Sequence, residues 1–275
     1  MRLAFTFLAL VCLVVPAHAQ LRDNRDRSLS CNGDTNFNNR RARTCEVTEA
    51  TLGPSGMLDV EPGRNGGVTV KGWSQNSVVV RARVEAWAES DSEARSIASQ
   101  IRVDASGGRV RATGPEWNND NDGRNQYRSW SVSFEIFAPW NTDLKLASHN
   151  GGVSISDIKG RIQAESHNGG LQLTRIAGDV AAETHNGGIQ ANLEGNSWDG
   201  RQLELSTHNG GIMLSLPSSY SARFETQSNR GRLDSDFPVN VRGRIDDSNL
   251  DFTLGAGGPT IKVSTHNGGI RLRRN

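Results

Sequence analysis

The chain has 275 residues and a formal net charge of +1, from 31 Lys and Arg against 30 Asp and Glu. That balance argues against a nucleic acid or another polyanion as the main partner. A glycine count of 30 with only 6% aromatic residues fits a turn-rich β protein, long enough to bury a sizeable core as one elongated domain.

Residues 1–19 read as a secretory signal: Arg2, an apolar stretch from Leu3 to Val15, and an A-x-A cleavage site at Ala17-His18-Ala19. The apolar run is too short to span a bilayer. Leu10-Val11, ahead of Cys12, lack the small residue that a lipoprotein signal needs. No second run of spanning length follows. The expectation is an exported chain, periplasmic or secreted, with no membrane span after signal removal. Residues 20–46 form a polar leader, rich in Asn, Arg and Asp and expected to be poorly ordered. Cys31 and Cys45 are the cysteines left to the exported chain, and an even pair there predicts a disulfide. Closing that loop stabilises by roughly 3 kcal/mol.

Residues 47–275 are expected to form a β-solenoid, with an N-terminal part over 47–140. Met57–Val60, Gly67–Val70 and Ser77–Trp87 alternate apolar and polar residues, as half-buried strands do. Asn65-Gly66-Gly67 is an early, degenerate copy of the turn that dominates the later chain. Ser90-Asp91-Ser92-Glu93 is a capping box opening one short helix, with Ala94, Ile97, Ala98 and Ile101 at helical spacing. Strands return at Ile101–Asp104, Arg109–Ala112 and Tyr127–Phe137. Within Asn118–Gly123, oxygen-bearing side chains and a sixth-position Gly resemble the start of a calcium loop, which makes Asp120 and Asp122 candidate ligands. Ser129 stands where the closing Glu would be, so a polar hairpin tip is the preferred reading.

Residues 141–275 carry the tetrapeptide His-Asn-Gly-Gly five times, beginning at His149, His167, His185, His208 and His266. The first three copies are 18 residues apart, and the next steps are 23 and 58. A period near twenty with an invariant turn means one unit stacked on itself, a β-solenoid of about 18–20 residues per rung. The structural turns are Asn150-Gly151-Gly152, Asn168-Gly169-Gly170, Asn186-Gly187-Gly188, Asn209-Gly210-Gly211 and Asn267-Gly268-Gly269. Before each turn one phase is apolar (Leu144/Leu146, Ile162/Ala164, Val180/Ala182, Leu203/Leu205, Ile261/Val263) and ends in Ser148, Ser166, Thr184, Thr207 or Thr265. That set must line the inside. Gly160, Gly178 and Gly195 mark the far corner. Gln227–Gly231 and Asp247–Asn249 predict two degenerate rungs between the fourth and fifth copies. The paired glycines are expected to allow positive φ. The Asn side chains are expected to point inward, bond to one another and satisfy buried corner carbonyls.

The histidines then point outward. His149, His167, His185 and His208 would stand on one edge, about 4.8 Å apart, as candidate ligands for Zn²⁺, Ni²⁺ or Cu²⁺. No carboxylate shares the motif, and solvated turn residues are the preferred reading. Below pH about 6.5 neighbouring imidazoliums would repel. Neither metal nor cofactor is assigned. Trp73, Trp87, Trp117, Trp130, Trp140 and Trp198 offer a sugar-stacking surface, against a preferred role in packing. No nucleophile elbow, zinc-protease helix, phosphate loop or dinucleotide motif is present, and Asp157, Asp179 and Glu194 make no convincing acid pair. The chain therefore reads as a non-enzyme.

The pattern Thr-His-Asn-Gly-Gly-Ile, the segment Gly255-Ala256-Gly257-Gly258-Pro259 and the closing strand Gly269-Ile270-Arg271-Leu272 resemble the bacterial exported β-strand-repeat family labelled "putative adhesin". That family is related to the head domain of autotransporter adhesins. The resemblance covers roughly Val47 to Asn275 and implies a right-handed parallel β-helix, without a catalytic set. The function expected is non-catalytic binding of a surface glycan or envelope protein through a repetitive face. The alternatives are a periplasmic cell-envelope sensor or regulatory partner and, third, a polysaccharide-active enzyme. The helix at one end and Arg271, Arg273 and Arg274 at the other would discourage end-to-end stacking, which favours a monomer.

Overall fold

The computed structural model describes residues 26–32, 41–117, 127–238 and 249–275. The signal reading at 1–19 and the calcium-loop candidates Asp120 and Asp122 lie outside the described residues. No helix among the described residues is long and apolar enough to cross a membrane.

The strands anticipated from alternation form. The N-terminal part runs β1 (Ala42–Leu52), β2 (Met57–Glu61), β3 (Val68–Trp73), β4 (Val78–Ala88), α1 (Asp91–Ala98), β5 (Arg102–Ser106), β6 (Arg109–Thr113) and β7 (Ser129–Pro139). At the head of α1 the Glu93 amide donates to Ser90 Oγ at 3.3 Å. The Glu93 carboxylate is taken by Arg128 Nε at 2.6 Å. Ala94 and Ile97 turn the buried face of the helix toward β4 and β1.

The repeats follow as β8 (Asp143–Asn150), β9 (Val153–Ser156), β10 (Lys159–Asn168), β11 (Leu171–Thr174), β12 (Ala177–Asn186), β13 (Ile189–Asn192), β14 (Gln202–Asn209) and β15 (Ile212–Leu216). The last section is β16 (Ala222–Ser228), β17 (Leu233–Ser235), β18 (Asn249–Leu254), β19 (Thr260–Asn267) and β20 (Ile270–Arg274).

Two ten-stranded sheets result. One has the order β1-β4-β7-β3-β9-β11-β13-β15-β20-β17, the other β18-β16-β19-β14-β12-β10-β8-β2-β6-β5. Each rung contributes one strand to each sheet, and the His-Asn-Gly-Gly turn carries the chain between them. Rungs stack in parallel with like residues in register: Ile162 beside Leu144 and Val180, Ala164 beside Leu146 and Ala182. The inward set is buried throughout, with Ile162, Leu203, Ile261 and Val263 all at 0% exposure. Antiparallel pairing is confined to the margins, at β1–β4, β4–β7, β5–β6 and β16–β18.

Spatial order departs from chain order at both ends. Strands β6 and β7 flank β2 and β3, although they come later in sequence. At the other end the expected pair of degenerate rungs between the fourth and fifth copies does not form. β19 and β20 pair directly with β14 and β15, and β16 and β17 lie beyond them. The chain passes over one rung position, then returns to fill it. β18 forms no rung, but folds back antiparallel on β16, with Phe224 and Phe252 stacked at 5.0 Å. Arg271 and Arg273 therefore lie one strand in from the edge. Arg273 pairs with Asp234 and Asp236 of the edge segment.

The described part of the leader is also more structured than its composition suggests. β1 begins at Ala42, inside the segment read as leader. Residues 26–32 lie across the outer side of the first sheet. Ser28 N, Ser28 Oγ and Leu29 N donate to the Glu135 carboxylate at 2.8, 2.7 and 3.2 Å. Lys71 Nζ donates to Glu135 at 2.8 Å, and Arg81 pairs with it too. Arg81 and Arg83 also donate to the carbonyls of Leu29 and Ser30. Glu135 is 1% exposed. Burial alone would raise its pKa, but the hydrogen bonds from Lys71, Ser28 and Leu29 outweigh it and bring the group down to about 2. Composition predicts disorder only where no buried charge waits for the polar groups. Cys31 joins this strap to β1 at Cys45, with Cα atoms 5.8 Å apart.

Candidate functional site

The repeated corner is built from four ladders. The glycines come first, because they set how closely rungs approach. A Cβ on Gly169 would lie 2.3 Å from the Gly151 carbonyl oxygen, and one on Gly187 would lie 2.2 Å from that of Gly169. Gly151, Gly210 and Gly268 face the same obstruction. The second glycine of each pair is less confined, with Gly170 and Gly188 at 3.2 and 3.1 Å from the next rung's carbonyl. None of the five pairs has positive φ. The expectation of left-handed backbone is therefore corrected: these glycines are needed for backbone-to-backbone approach. At the far corner Gly178 does have positive φ, of 105°. The stack there runs Gly160, Gly178, Gly200, with Gly195 left in a loop.

The buried hydroxyls form the second ladder. Ser166 Oγ donates to Gly151 O at 2.9 Å, Thr184 to Gly169 O at 2.7 Å, Thr207 to Gly187 O and Thr265 to Gly210 O, both at 2.8 Å. Ser148 begins the series on Gly66 O and Ser228 ends it on Gly268 O. Carbonyls that cannot join the strand ladder thus gain a donor from the same inward slot on every rung. Hydroxyls, and not the asparagine amides expected from the sequence, perform this task.

Asparagine forms the third ladder, at the surface. Nδ2 of Asn150 donates to Asn65, Asn168 to Asn150, Asn186 to Asn168, Asn209 to Asn186 and Asn267 to Asn209, over 2.7–3.0 Å. Asn168, Asn186 and Asn209 are exposed. The amide chain exists as anticipated, but on the outer rim. All its donors point toward Asn65, whose Nδ2 ends the chain on Trp130 O at 3.3 Å. Bonds aligned in one sense polarise one another.

The fourth ladder is histidine, with one more member than expected. His149, His167, His185, His208 and His266 stack at 4.9, 5.0, 4.9 and 4.7 Å between ring centroids, with interplanar angles of 2°, 1°, 1° and 8°. The fifth joins because β19 lies beside β14. Arg64 occupies the histidine slot on the rung before His149, and Asn229 on the rung after His266. Asn229 Nδ2 donates to His266 Nδ1 at 3.0 Å. The Gln227–Gly231 turn is therefore offset by one from an Asn-to-Asn alignment, with Arg230 in the asparagine slot.

Parallel rings hold their nitrogen lone pairs in separate parallel planes, which do not converge on one ion. Among the described residues no group of three or more His, Cys, Asp or Glu is placed to hold a metal. No carboxylate belongs to the motif itself, yet Glu165 and Glu183 stand two residues before a histidine and share its face. With Glu61, His149, His167 and His185 they line a shallow groove of about 480 Å³.

The far corner is built differently. Asp157 is 0% exposed and accepts from Arg175 Nε and Nη2 at 2.6 and 2.7 Å. Both residues hold positive φ, 58° and 50°. The Asp157 carboxylate raises the Arg175 pKa against the opposing effect of burial. Asp179 pairs separately with Arg201, which lowers the Asp179 pKa. Asp157 and Asp179 are thus each committed to an arginine. Among the tryptophans, Trp198 is 4% exposed and donates to Gly178 O at 3.1 Å. Trp73 donates to Ser77 O and packs on Phe137.

Comparison with known proteins adds a family. The profile described as Toastrack DUF4097 matches residues 100–273. No curated protein matches in sequence. Among solved structures, the "putative cell adhesion protein" of Clostridium sporogenes is 12% identical, covers 84% of this chain and 100% of its own, and superposes with a TM-score of 0.44. The "putative adhesin" of Bacteroides fragilis is 10% identical over 84% of this chain and 97% of its own, at 0.37. The "putative lipid binding protein" of Parabacteroides distasonis is 10% identical over 83% and 96%, at 0.27.

Proposed function

The chain belongs to the Toastrack DUF4097 family, and on that premise we propose an exported, non-catalytic, adhesin-like protein that binds an extended surface or envelope glycan along its repeated corner. The observation that carries this reading is the unbroken pair of outer ladders: five stacked imidazoles beside six linked asparagine amides. Each rung presents the same donors and acceptors at nearly the same pitch. A polymer of similar repeat meets the same groups at every step, so many weak contacts sum to avidity. Export is supported by the Cys31–Cys45 pairing, since such bridges persist in oxidising compartments. The coil is taken as right-handed, the hand that the family resemblance implies.

The test is binding of the full exported chain to immobilised envelope polysaccharides and whole cells. Affinity should rise with polymer length and surface density, and fall when His149, His167, His185 and His208 are changed together to Ala. Capture of one protein by cross-linking, with no glycan bound, would replace this reading by the periplasmic sensor. Release of sugar products would replace it by an enzyme.

A further inference from the structure

At the head of the corner, where the asparagine chain ends, a cavity of about 600 Å³ opens. Its lining includes Arg64, Asn65, Glu116, Trp117, Arg128 and Trp130. The volume lies within the usual range for small-ligand sites. Trp130 forms a fixed wall. It is 9% exposed, and its Nε1 donates to Pro115 O at 2.8 Å. Gly63 and Gly114 pack against its ring, where a Cβ would lie 3.0 and 2.7 Å from indole carbons. Trp117 is half-buried and keeps part of its surface open.

We propose that this cavity binds the neutral pyranose end of a glycan. The proposal rests on the glycan reading of the corner and names where the polymer terminates. Aromatic surface suits the apolar face of a sugar ring. Arg128 is committed to Glu93 at 2.6 Å, so Arg64 and Glu116 are the charges left to the cavity. Both are exposed. Arg64 can only donate and Glu116 can only accept, while each asparagine amide keeps a second N–H. A sugar hydroxyl both donates and accepts, so a neutral polyol satisfies both. A charged ligand would set its own charge against one of them. Continuity with the corner follows from register. Asn65 bridges Asn150, and Asn150 N donates to Arg64 O at 3.0 Å, which puts Arg64 in line with the histidines. A chain lying along the imidazoles runs into this cavity.

The experiment is saturation-transfer NMR on the full exported chain with methyl glycosides of glucose, galactose, mannose and N-acetylglucosamine, and glucuronate as the charged control. At least one neutral glycoside should saturate in the millimolar range, with glucuronate weaker by about ten-fold or more. Arg64→Gln and Trp117→Ala should each weaken that glycoside by about ten-fold. The exposed Arg64 variant keeps the test valid should Trp117→Ala unfold. The double variant His167→Ala/His185→Ala should bind the monosaccharide unchanged while losing polymer affinity. The cavity proposal is overturned when no neutral glycoside saturates, or when both cavity variants bind like the parent protein. Polymer binding that survives those results leaves the corner reading intact. Monosaccharide binding without any polymer binding removes the corner reading alone.

Discussion

The two corners of each rung solve the same problem by opposite means. At the His-Asn-Gly-Gly corner the imidazoles, the amides and the first glycines each meet their own copy on the next rung, and the hydroxyls meet a neighbouring rung's glycine carbonyl, so a change on an inner rung disturbs a ladder on both sides. At the far corner Asp157 of one rung accepts from the Arg175 guanidinium of the next and Leu193 takes the same slot on the third, so the side chains differ while the backbone bonds repeat. That freedom is where the chain absorbs its irregularity. The extra residues of the 23-residue step fall between Asn192 and Gln202, and among them Trp198 is buried. Repetition is needed only where like must stack on like.

The largest effect is expected at the far corner. Asp157→Ala removes a fully buried carboxylate and leaves Arg175 with its charge unpaired, which should cost about 3–5 kcal/mol in chemical denaturation. Loss below about 1 kcal/mol would mean that water reaches the pair. The repeated corner should respond next, and unequally. Gly169→Ala drives a methyl into the Gly151 carbonyl, at the upper end of about 1–3 kcal/mol or beyond. Gly170→Ala, with 3.2 Å of clearance, should be much milder. Equal losses would restore a conformational role for both glycines.

Thr184→Val keeps the shape and leaves Gly169 O without its hydroxyl donor, for about 1–3 kcal/mol. A neutral result would reassign that carbonyl to the asparagine chain. The strap supplies a pH test. Glu135 is depressed to about 2 from an ordinary 4.5, so its contribution is complete above pH 4.5 and fades as the pH falls toward 2. Glu135→Gln should flatten stability over that window, read by melting temperature. The smallest effect is His185→Ala, an exposed ring whose loss should change stability by less than about 0.5 kcal/mol, while its absence is felt in glycan binding.

Much of this was legible from residue type and spacing. Leu144, Leu146 and Ser148 carry the period of a strand with one wet face, and five turn copies announce stacking. Ser90 ahead of an apolar helical pattern placed α1. What escaped was order. Ile261, Val263 and Thr265 suit a place beside Leu203, Leu205 and Thr207 as well as any other, because periodicity says which face is buried and not which rung is next door. One signal did exist: His266-Asn267-Gly268-Gly269 is a full copy, and only another full copy extends its His, Asn and Gly ladders together. The strap escaped because its partner is distant. Its trace is Glu135, an acid inside the apolar run Phe134–Phe137, which requires buried cations and donors from somewhere. Strand alternation carried through the turn points the asparagines inward, but alternation no longer holds there, and Asn168, Asn186 and Asn209 are exposed.

The decisive observation is proton NMR of the imidazoles, with each histidine assigned by single substitution. Stacking of the fifth copy on the fourth predicts a nuclear Overhauser contact between His208 and His266, whose ring centroids lie 4.7 Å apart across 58 residues of chain. Contacts from His208 to the Ser228–Gly231 turn, with none to His266, would mean that the chain winds in sequence order and that the ladder ends at four.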